Sequence, residues 1–311
     1  MKNSDSTPSF SRRGLLALGA AAVARRARAD DHLFHVTMGQ STIQVALPEG
    51  GIDLAPPALM GWVSIAARAV TAYYGTFPTP SASVVVRAIE ERAGVLRGTT
   101  YGGDPPRTVM GVGQRTTTRQ LDDDWTMTHE FVHLAFPGMT RQHHWLEEGQ
   151  ATYIEPIARA QIGTLPPERV WGDMVRDMHQ GQPGASDRGL DFTHTWGRTY
   201  WGGAIYCLLA DVGIRERTGN RAGLQQALRG VLAGDGNIEY DWPIEEALKA
   251  ADDTVKVPVM TELYNQMKDK PFAPDLDKLW QRLGVVSANG KISFRDDAPL
   301  AGVRKAITRP Q

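Results

Sequence analysis

A five-residue segment, His129-Glu130-Phe131-Val132-His133, constrains this chain more than any other feature of its sequence. Residues four positions apart lie one turn apart on the same face of an α-helix, so a helix here brings the two imidazoles together. Two imidazole nitrogens placed in this way can bind one Zn²⁺ at about 2.0–2.1 Å. Glu130 follows the first histidine and can act as a general base on a water molecule at the ion. The segment therefore predicts a zinc-binding helix with His129 and His133 as ligands.

Length and charge limit the class of protein. The chain has 311 residues, of which 41% are hydrophobic and 22% charged, enough for one large two-lobed unit or for two domains. The first 29 residues carry six basic side chains and one acidic side chain, which leaves 28 basic and 34 acidic residues and a formal charge of −6 in the remainder. This charge balance predicts no nucleic-acid partner. No apolar run reaches the length of about 18 residues that a spanning helix needs, so we expect no transmembrane segment.

The single cysteine, Cys207, cannot form an internal disulfide and is expected to be a small buried apolar side chain. The first 29 residues predict an export signal. Arg12 and Arg13 precede a short apolar stretch at 15–24, and small residues follow at Ala27 and Ala29. This arrangement resembles a twin-arginine signal, which implies export to the bacterial periplasm or the medium. The alternative is a basic tail with no export role.

Hydrophobic periodicity and breaker residues predict the secondary structure. The predicted strands lie within residues 32–47, 84–86 and 108–112, and the predicted helices lie over 59–73, from 122–124 to just before Pro137, from Trp145 onward, over 198–217 and over 275–283. Pro156 is expected to kink or end the helix that begins at Trp145. Residues 98–103, followed by Pro105 and Pro106, predict a loop.

A catalytic zinc site usually has three protein ligands and one position open for water. The segment after His133 offers four candidates for the third ligand, which are His143, His144, Glu147 and Glu148. The metzincin pattern H-E-x-x-H-x-x-G-x-x-H does not fit, because the next glycine and the next histidine both lie too far along the chain. The residues alone leave the choice among these four candidates open.

The segment Trp145-Leu146-Glu147-Glu148-Gly149-Gln150-Ala151-Thr152-Tyr153-Ile154-Glu155 resembles the second zinc-binding helix of gluzincin peptidases. In the alanyl aminopeptidase and glycyl aminopeptidase families this helix reads W-L-x-E-G-x-A-x-Y-x-E, and the carboxylate before the glycine is the third zinc ligand. The resemblance implies that Glu148 is the third ligand. His143 and His144 are then expected not to bind the ion, and either to contact its ligands or to lie on the surface. The connection from His133 to Glu148 is shorter here than in alanyl aminopeptidases.

Tyr200-Trp201-Gly202-Gly203 resembles the Y-x-x-G motif of the same families. The tyrosine of that motif stabilises the oxyanion of the tetrahedral intermediate, so the resemblance implies that role for Tyr200. His194 is the alternative donor, since thermolysin-like peptidases use a histidine, and a core aromatic is the alternative reading of Tyr200. Arg198 is a candidate for holding a substrate carboxylate.

The resemblance implies an α+β fold with a thermolysin-like gluzincin catalytic unit. We expect an N-terminal α+β lobe over residues 30–140 that ends in the H-E-x-x-H helix, and a helical lobe over 141–311 that carries Glu148 and Tyr200. The implied function is a peptidase with one Zn²⁺ and a peptide or protein substrate. The alternatives are a gluzincin-fold peptide-binding protein without turnover, and a helical protein in which the motif is accidental.

One feature of the alanyl aminopeptidases is missing. Their G-x-M-E-N loop carries a glutamate that binds the amino group of the substrate. The corresponding residues here, Gly98-Thr99-Thr100-Tyr101-Gly102-Gly103, include no acidic side chain. The missing glutamate weighs against aminopeptidase specificity and leaves the expected metal-dependent hydrolysis unchanged, so cleavage at chain ends and cleavage within chains both stay open.

Overall fold

The computed structural model describes residues 32–48 and 50–310, and the predicted export signal lies outside these residues. A five-stranded sheet occupies the first part of the chain. Its strands are β1 (Leu33–Met38), β2 (Ser41–Ala46), β3 (Ser81–Ile89), β4 (Val95–Tyr101) and β5 (Arg107–Gly113), and they lie side by side in the order β1-β2-β3-β5-β4. β2, β3 and β5 run parallel, whereas β1 and β4 are antiparallel edge strands.

The parallel pairing of β2 with β3 requires a crossover connection, and helix α1 (Pro56–Tyr74) provides it. Two prolines open α1, where a missing backbone N–H costs nothing, and Gly75 ends it in the left-handed conformation. The inner faces of β2 and β3 bury Ile43 and Val84 completely. α1 lies on the sheet and also contacts the helices that carry the candidate site.

The remaining described residues are mostly helical. The helices are α2 (Thr118–Asp122), α3 (Thr126–His133), α4 (His144–Gln161), α5 (Pro167–Asp177), α6 (Gly203–Arg217), α7 (Leu224–Ala233), α8 (Ile244–Val255), α9 (Val259–Met267), α10 (Leu276–Leu283) and α11 (Ala301–Ile307). A π-helical turn, Arg198–Gly202, leads into α6, and a hairpin of β6 (Val285–Ala288) and β7 (Lys291–Phe294) follows α10. This architecture confirms the predicted α+β class. The division into lobes at residue 140 stays a prediction.

Three predicted elements differ in the structure. Residues 98–101, predicted to be loop, belong to the edge strand β4, because pairing with β5 fixes their conformation despite a glycine and exposed side chains. The helix predicted from 122–124 to just before Pro137 is shorter and corresponds to α3 alone, which starts at Thr126 because the Asp124 carboxylate accepts hydrogen bonds from the backbone N–H groups of Thr126 and Met127. α4 continues through Pro156, so that residue does not end the helix.

Helices α4 and α6 cross with their backbones in contact. A Cβ atom added to Gly203 would lie 2.1 Å from the carbonyl oxygen of Trp145, and one added to Gly149 would lie 2.3 Å from the backbone of Gly203. Only glycine fits at both positions. The close crossing brings the part of α4 that carries Glu148 into contact with the π-helical turn that carries Tyr200.

Cys207 is buried in α6, as expected. Within residues 32–48 and 50–310, no helix combines the length and the apolar composition needed to cross a membrane.

Candidate metal centre

His129 and His133 lie one turn apart on α3, and Glu148 faces them from the first turns of α4. Glu148 Oε2 lies 3.1 Å from His129 Nε2 and 3.7 Å from His133 Nε2. The three potential ligand atoms all lie within 4.8 Å of one another. Ligands at 2.0–2.2 Å from a tetrahedral ion are separated by roughly 3.3–3.6 Å, so these spacings suit one metal ion. The cluster can therefore hold a metal, with the two-histidine, one-carboxylate set that is typical of catalytic zinc.

The protonation states of these groups favour metal binding. Burial and the neighbouring His129 together lower the pKa of His133 to about 4, so the imidazole is neutral near pH 7. Burial acts to raise the pKa of Glu148, but the hydrogen bond with His129 and the two nearby imidazoles outweigh it and leave the pKa below its usual value. A neutral imidazole and an ionised carboxylate are the forms that bind zinc, so neither group must lose a proton first.

Glu130 points from α3 towards β4 and lies outside the ligand cluster. Its Oε2 accepts a hydrogen bond of 2.9 Å from the Thr100 hydroxyl. A Cβ atom on Gly98 would lie 2.6 Å from Glu130 Oε1, so the glycine leaves room for the carboxylate against the strand. Burial raises the pKa of Glu130, partly offset by His129 and the Thr100 hydrogen bond. The strand thus holds a buried carboxylate beside the cluster, with a pKa moved towards neutrality.

These groups line one cleft with a volume of about 450 Å³. β4 forms one wall, and α3 and the first turns of α4 form the floor. Tyr200 lines the cleft as well, and its ring stacks on His129 with centroids 6.3 Å apart. The cleft therefore brings together all five predicted site residues, which are Glu130, Tyr200, His129, His133 and Glu148.

Tyr200 lies in the π-helical turn before α6, a distortion that often occurs at functional positions. Burial raises the pKa of its hydroxyl to about 12, and the carboxylates of Glu148 and Glu130 contribute to the rise. The group therefore keeps its proton near neutral pH and can donate a hydrogen bond. His194, the alternative donor, is exposed and does not line the cleft.

Arg198 does not face the cleft as a substrate-binding arginine would. It is buried and forms an ion pair with Asp187, with nitrogen and oxygen 2.7 Å apart, and it donates a hydrogen bond to the Gly181 carbonyl oxygen. Arg198 therefore stabilises the turn that carries Tyr200. The prediction that it holds a substrate carboxylate is wrong.

The two histidines of the α3–α4 connection have different surroundings. His143 Nδ1 lies 3.1 Å from the buried Asp191 carboxylate, away from the ligand cluster. His144 Nε2 lies 3.4 Å from Glu148 Oε1, and its Nδ1 lies 3.2 Å from Glu147 Oε2. His144 therefore contacts the oxygen of Glu148 that faces away from the other two potential ligands.

Sequence reasoning missed Gly98 and Thr100 as site residues, because it placed them in a loop. It also missed the aromatic rings beside the cleft. Trp125 lies edge-on to His129 at 5.4 Å, and Trp196 stacks on Tyr200 at 5.7 Å. Trp125 stands four residues before His129, a spacing that puts both on one helix face and could have marked it. Trp196 likewise stands four residues before Tyr200.

Neither a protein-family model nor a curated protein matches the sequence. Solved structures share the fold. An aminopeptidase N family protein from Idiomarina loihiensis matches with a TM-score of 0.57 and 14% identity, over 82% of this chain and 49% of that chain. An M1 zinc metallopeptidase from Deinococcus radiodurans matches with a TM-score of 0.49 and 14% identity, over 78% and 51% of the two chains. This chain thus spans about half the length of the solved structures it matches. The first of these likenesses shows that the chain shares the fold of about half of an aminopeptidase N family protein, as the resemblance to gluzincin peptidases implied.

Proposed function

We propose that this protein is a zinc-dependent peptidase that hydrolyses peptide bonds with Glu130 as general base. The observation that carries the proposal is the convergence of His129, His133 and Glu148 in one cleft that also contains a buried carboxylate and a tyrosine hydroxyl. Each of these groups has a separate task in hydrolysis. The fold that the chain shares with an aminopeptidase N family protein supports the proposal.

His129, His133 and Glu148 would hold the ion. When bound, zinc supplies a Lewis acid that makes water nucleophilic near neutral pH. Glu130, held by Thr100, takes a proton from the attacking water and later gives it to the leaving amine. Tyr200 keeps its proton because its pKa is raised to about 12, so it donates a hydrogen bond to the oxygen on which negative charge develops.

Glu130→Gln tests the proposal, because the amide has almost the same shape and cannot accept the proton. We expect the variant to bind zinc like the wild type and to lose about 10²- to 10⁴-fold in peptide hydrolysis. Activity is measured on a mixture of peptides by mass spectrometry, with zinc content determined in the same samples. Glu246→Gln, on the exposed side of α8, is the matched control and should keep full activity.

Full hydrolysis by Glu130→Gln would refute the assigned base. A wild-type protein that binds zinc and peptides but cleaves none would instead be a gluzincin-fold peptide-binding protein. A protein that binds no zinc would make the H-E-x-x-H segment accidental.

We infer that the chain is exported, from the Arg12-Arg13 pair and the apolar stretch that follows it. Fractionation of bacterial cells that express the full chain tests the inference. The wild type should reach the periplasm or the medium, and the double variant Arg12→Lys, Arg13→Lys should stay in the cytoplasm. A wild-type chain that stays in the cytoplasm would contradict export.

A further inference from the structure

Two tryptophans, one that lines the cleft (Trp125) and one that stacks on the cleft-lining Tyr200 (Trp196), are unusually exposed. Trp125 is 54% exposed and Trp196 is 59% exposed, the highest values among the large apolar side chains in the part of the chain that the structure describes. A tryptophan buries 150–250 Å² when it is covered. A folded protein that leaves two of them in water therefore lacks the hydrophobic stabilisation that their burial would provide. Exposed apolar groups that cluster at a cleft mark a binding surface more often than isolated ones do.

The two indoles stand at the ends of a row of four rings. Trp125 lies edge-on to His129, with centroids 5.4 Å apart and planes at 86°. His129 stacks with Tyr200 at 6.3 Å and 21°, and Tyr200 stacks with Trp196 at 5.7 Å and 28°. The middle rings belong to a predicted zinc ligand and to the predicted oxyanion donor. A group bound on either indole would therefore lie next to the reacting bond.

The cleft has few carboxylates that could bind the amino terminus of a substrate. Among the cleft-lining residues with described positions, the carboxylates are Glu130, Glu147 and Glu148. Glu130 and Glu148 have roles in the proposed reaction. Glu147 Oε1 accepts a hydrogen bond of 3.3 Å from the Met139 N–H, and its Oε2 lies 3.2 Å from His144 Nδ1. Each oxygen of Glu147 therefore already has one partner within the protein.

We propose that the row Trp125-His129-Tyr200-Trp196 is an aromatic subsite that binds an aromatic side chain of a peptide substrate next to the scissile bond. Recognition then depends on that side chain and does not require a free amino terminus. Aromatic rings bind one another in edge-to-face and offset-stacked arrangements, and both indoles leave a face or an edge free for this. The inference rests on the proposed peptidase function, which supplies the scissile bond.

Binding to an inactive protein tests the subsite separately from turnover. Zinc-loaded Glu130→Gln protein is titrated by calorimetry with a hexapeptide that is acetylated at one end and amidated at the other, with either phenylalanine or alanine at its centre. We expect the phenylalanine peptide to bind about tenfold more tightly. The same peptide with a free amino terminus should bind within about twofold of the acetylated one. The reason is that no carboxylate of the cleft is expected to form a strong ion pair with its ammonium group.

Variants in the same inactive background locate the subsite. Trp125→Ala and Trp196→Ala should each reduce the phenylalanine preference by roughly two- to tenfold, and Trp125→Phe and Trp196→Phe should retain most of it. Leu33→Ala removes an exposed apolar side chain on β1, far along the sheet from β4, and should leave the preference unchanged. Because both tryptophans are exposed, their replacement should not unfold the protein.

Equal binding of the phenylalanine and alanine peptides, no binding of either, or a clear gain from a free amino terminus would each overturn the subsite. A phenylalanine preference that survives both alanine variants would overturn the assignment to these two residues. Peptide binding with the expected preference, combined with no cleavage by the wild-type protein, would contradict the proposed peptidase function and leave the aromatic subsite standing.

Discussion

Two adjacent glutamates, Glu147 and Glu148, occupy very different positions although they have the same side chain. Successive residues of a helix point about 100° apart, so only one of them can face α3. Glu148 Oε2 lies 3.1 Å from His129 Nε2, whereas Glu147 contacts the Met139 N–H and His144. The W-L-x-E-G pattern and the geometry select the same residue.

The paired substitutions Glu148→Gln and Glu147→Gln test this difference. We expect Glu148→Gln to lower zinc affinity by more than about 100-fold, because it removes an anionic ligand. Glu147→Gln should lower it by no more than about tenfold, since it changes only a contact to His144. Competition with a chromophoric chelator measures both affinities. The reverse ranking would mean that Glu147 is the ligand.

Tyr200→Phe removes one hydroxyl group and keeps the ring. The account predicts a fall in kcat of roughly 10²- to 10³-fold, with little change in zinc affinity. His194→Gln should have almost no effect, because that histidine is exposed outside the cleft. Steady-state kinetics with one peptide substrate compares the two variants. A large loss in His194→Gln, with none in Tyr200→Phe, would transfer the oxyanion role to the histidine.

At the scale of elements, the sequence predicts best where one apolar face is continuous. α1 and α6 follow from the spacing of their apolar side chains, and β3 follows from its run of three valines. The edge strand β4 does not, since its side chains are exposed and its pairing with β5 comes from the rest of the sheet. The short helix α2 does not follow from the sequence either, whereas the predicted helix start at 122–124 lies close to the observed start of α3.

The crossing of α4 and α6 gives a prediction at this scale. Gly203→Ala should destabilise the protein by about 1–3 kcal/mol or more, because the added methyl group meets the backbone of α4. Gly61→Ala in α1 has no atom within 4 Å of the new Cβ and should stabilise the helix by about 0.5–1 kcal/mol. Denaturant unfolding monitored by circular dichroism measures both. Equal effects would contradict the close packing of the two helices.

At the scale of the whole molecule, the site is assembled from three separated segments. His129, His133 and Glu148 lie close enough in the chain for their motifs to be found together. Thr100 reaches Glu130 from a different wall of the cleft, and Tyr200 stacks on His129 from the turn before α6. Local patterns therefore predict the ligands, whereas the groups that support and border them depend on how the sheet and the helices pack.

The metal should stabilise the folded protein without being required for folding, because the described core is extensive and surrounds the site with apolar packing. Zinc at 100 times its dissociation constant adds about 2.7 kcal/mol. For a protein of this size, that raises the thermal midpoint by roughly 5–10 °C. Calorimetry with and without a chelator measures the shift, and Glu148→Gln should show little of it. Complete unfolding on chelation would make the metal a structural one.

Anomalous diffraction at the zinc edge, from crystals of the zinc-loaded wild-type protein, tests the central claim most directly. The account predicts one strong peak within about 2.0–2.2 Å of His129 Nε2, His133 Nε2 and a carboxylate oxygen of Glu148, facing the cleft. A peak held by other side chains, or by the two histidines together with Glu147, would contradict it.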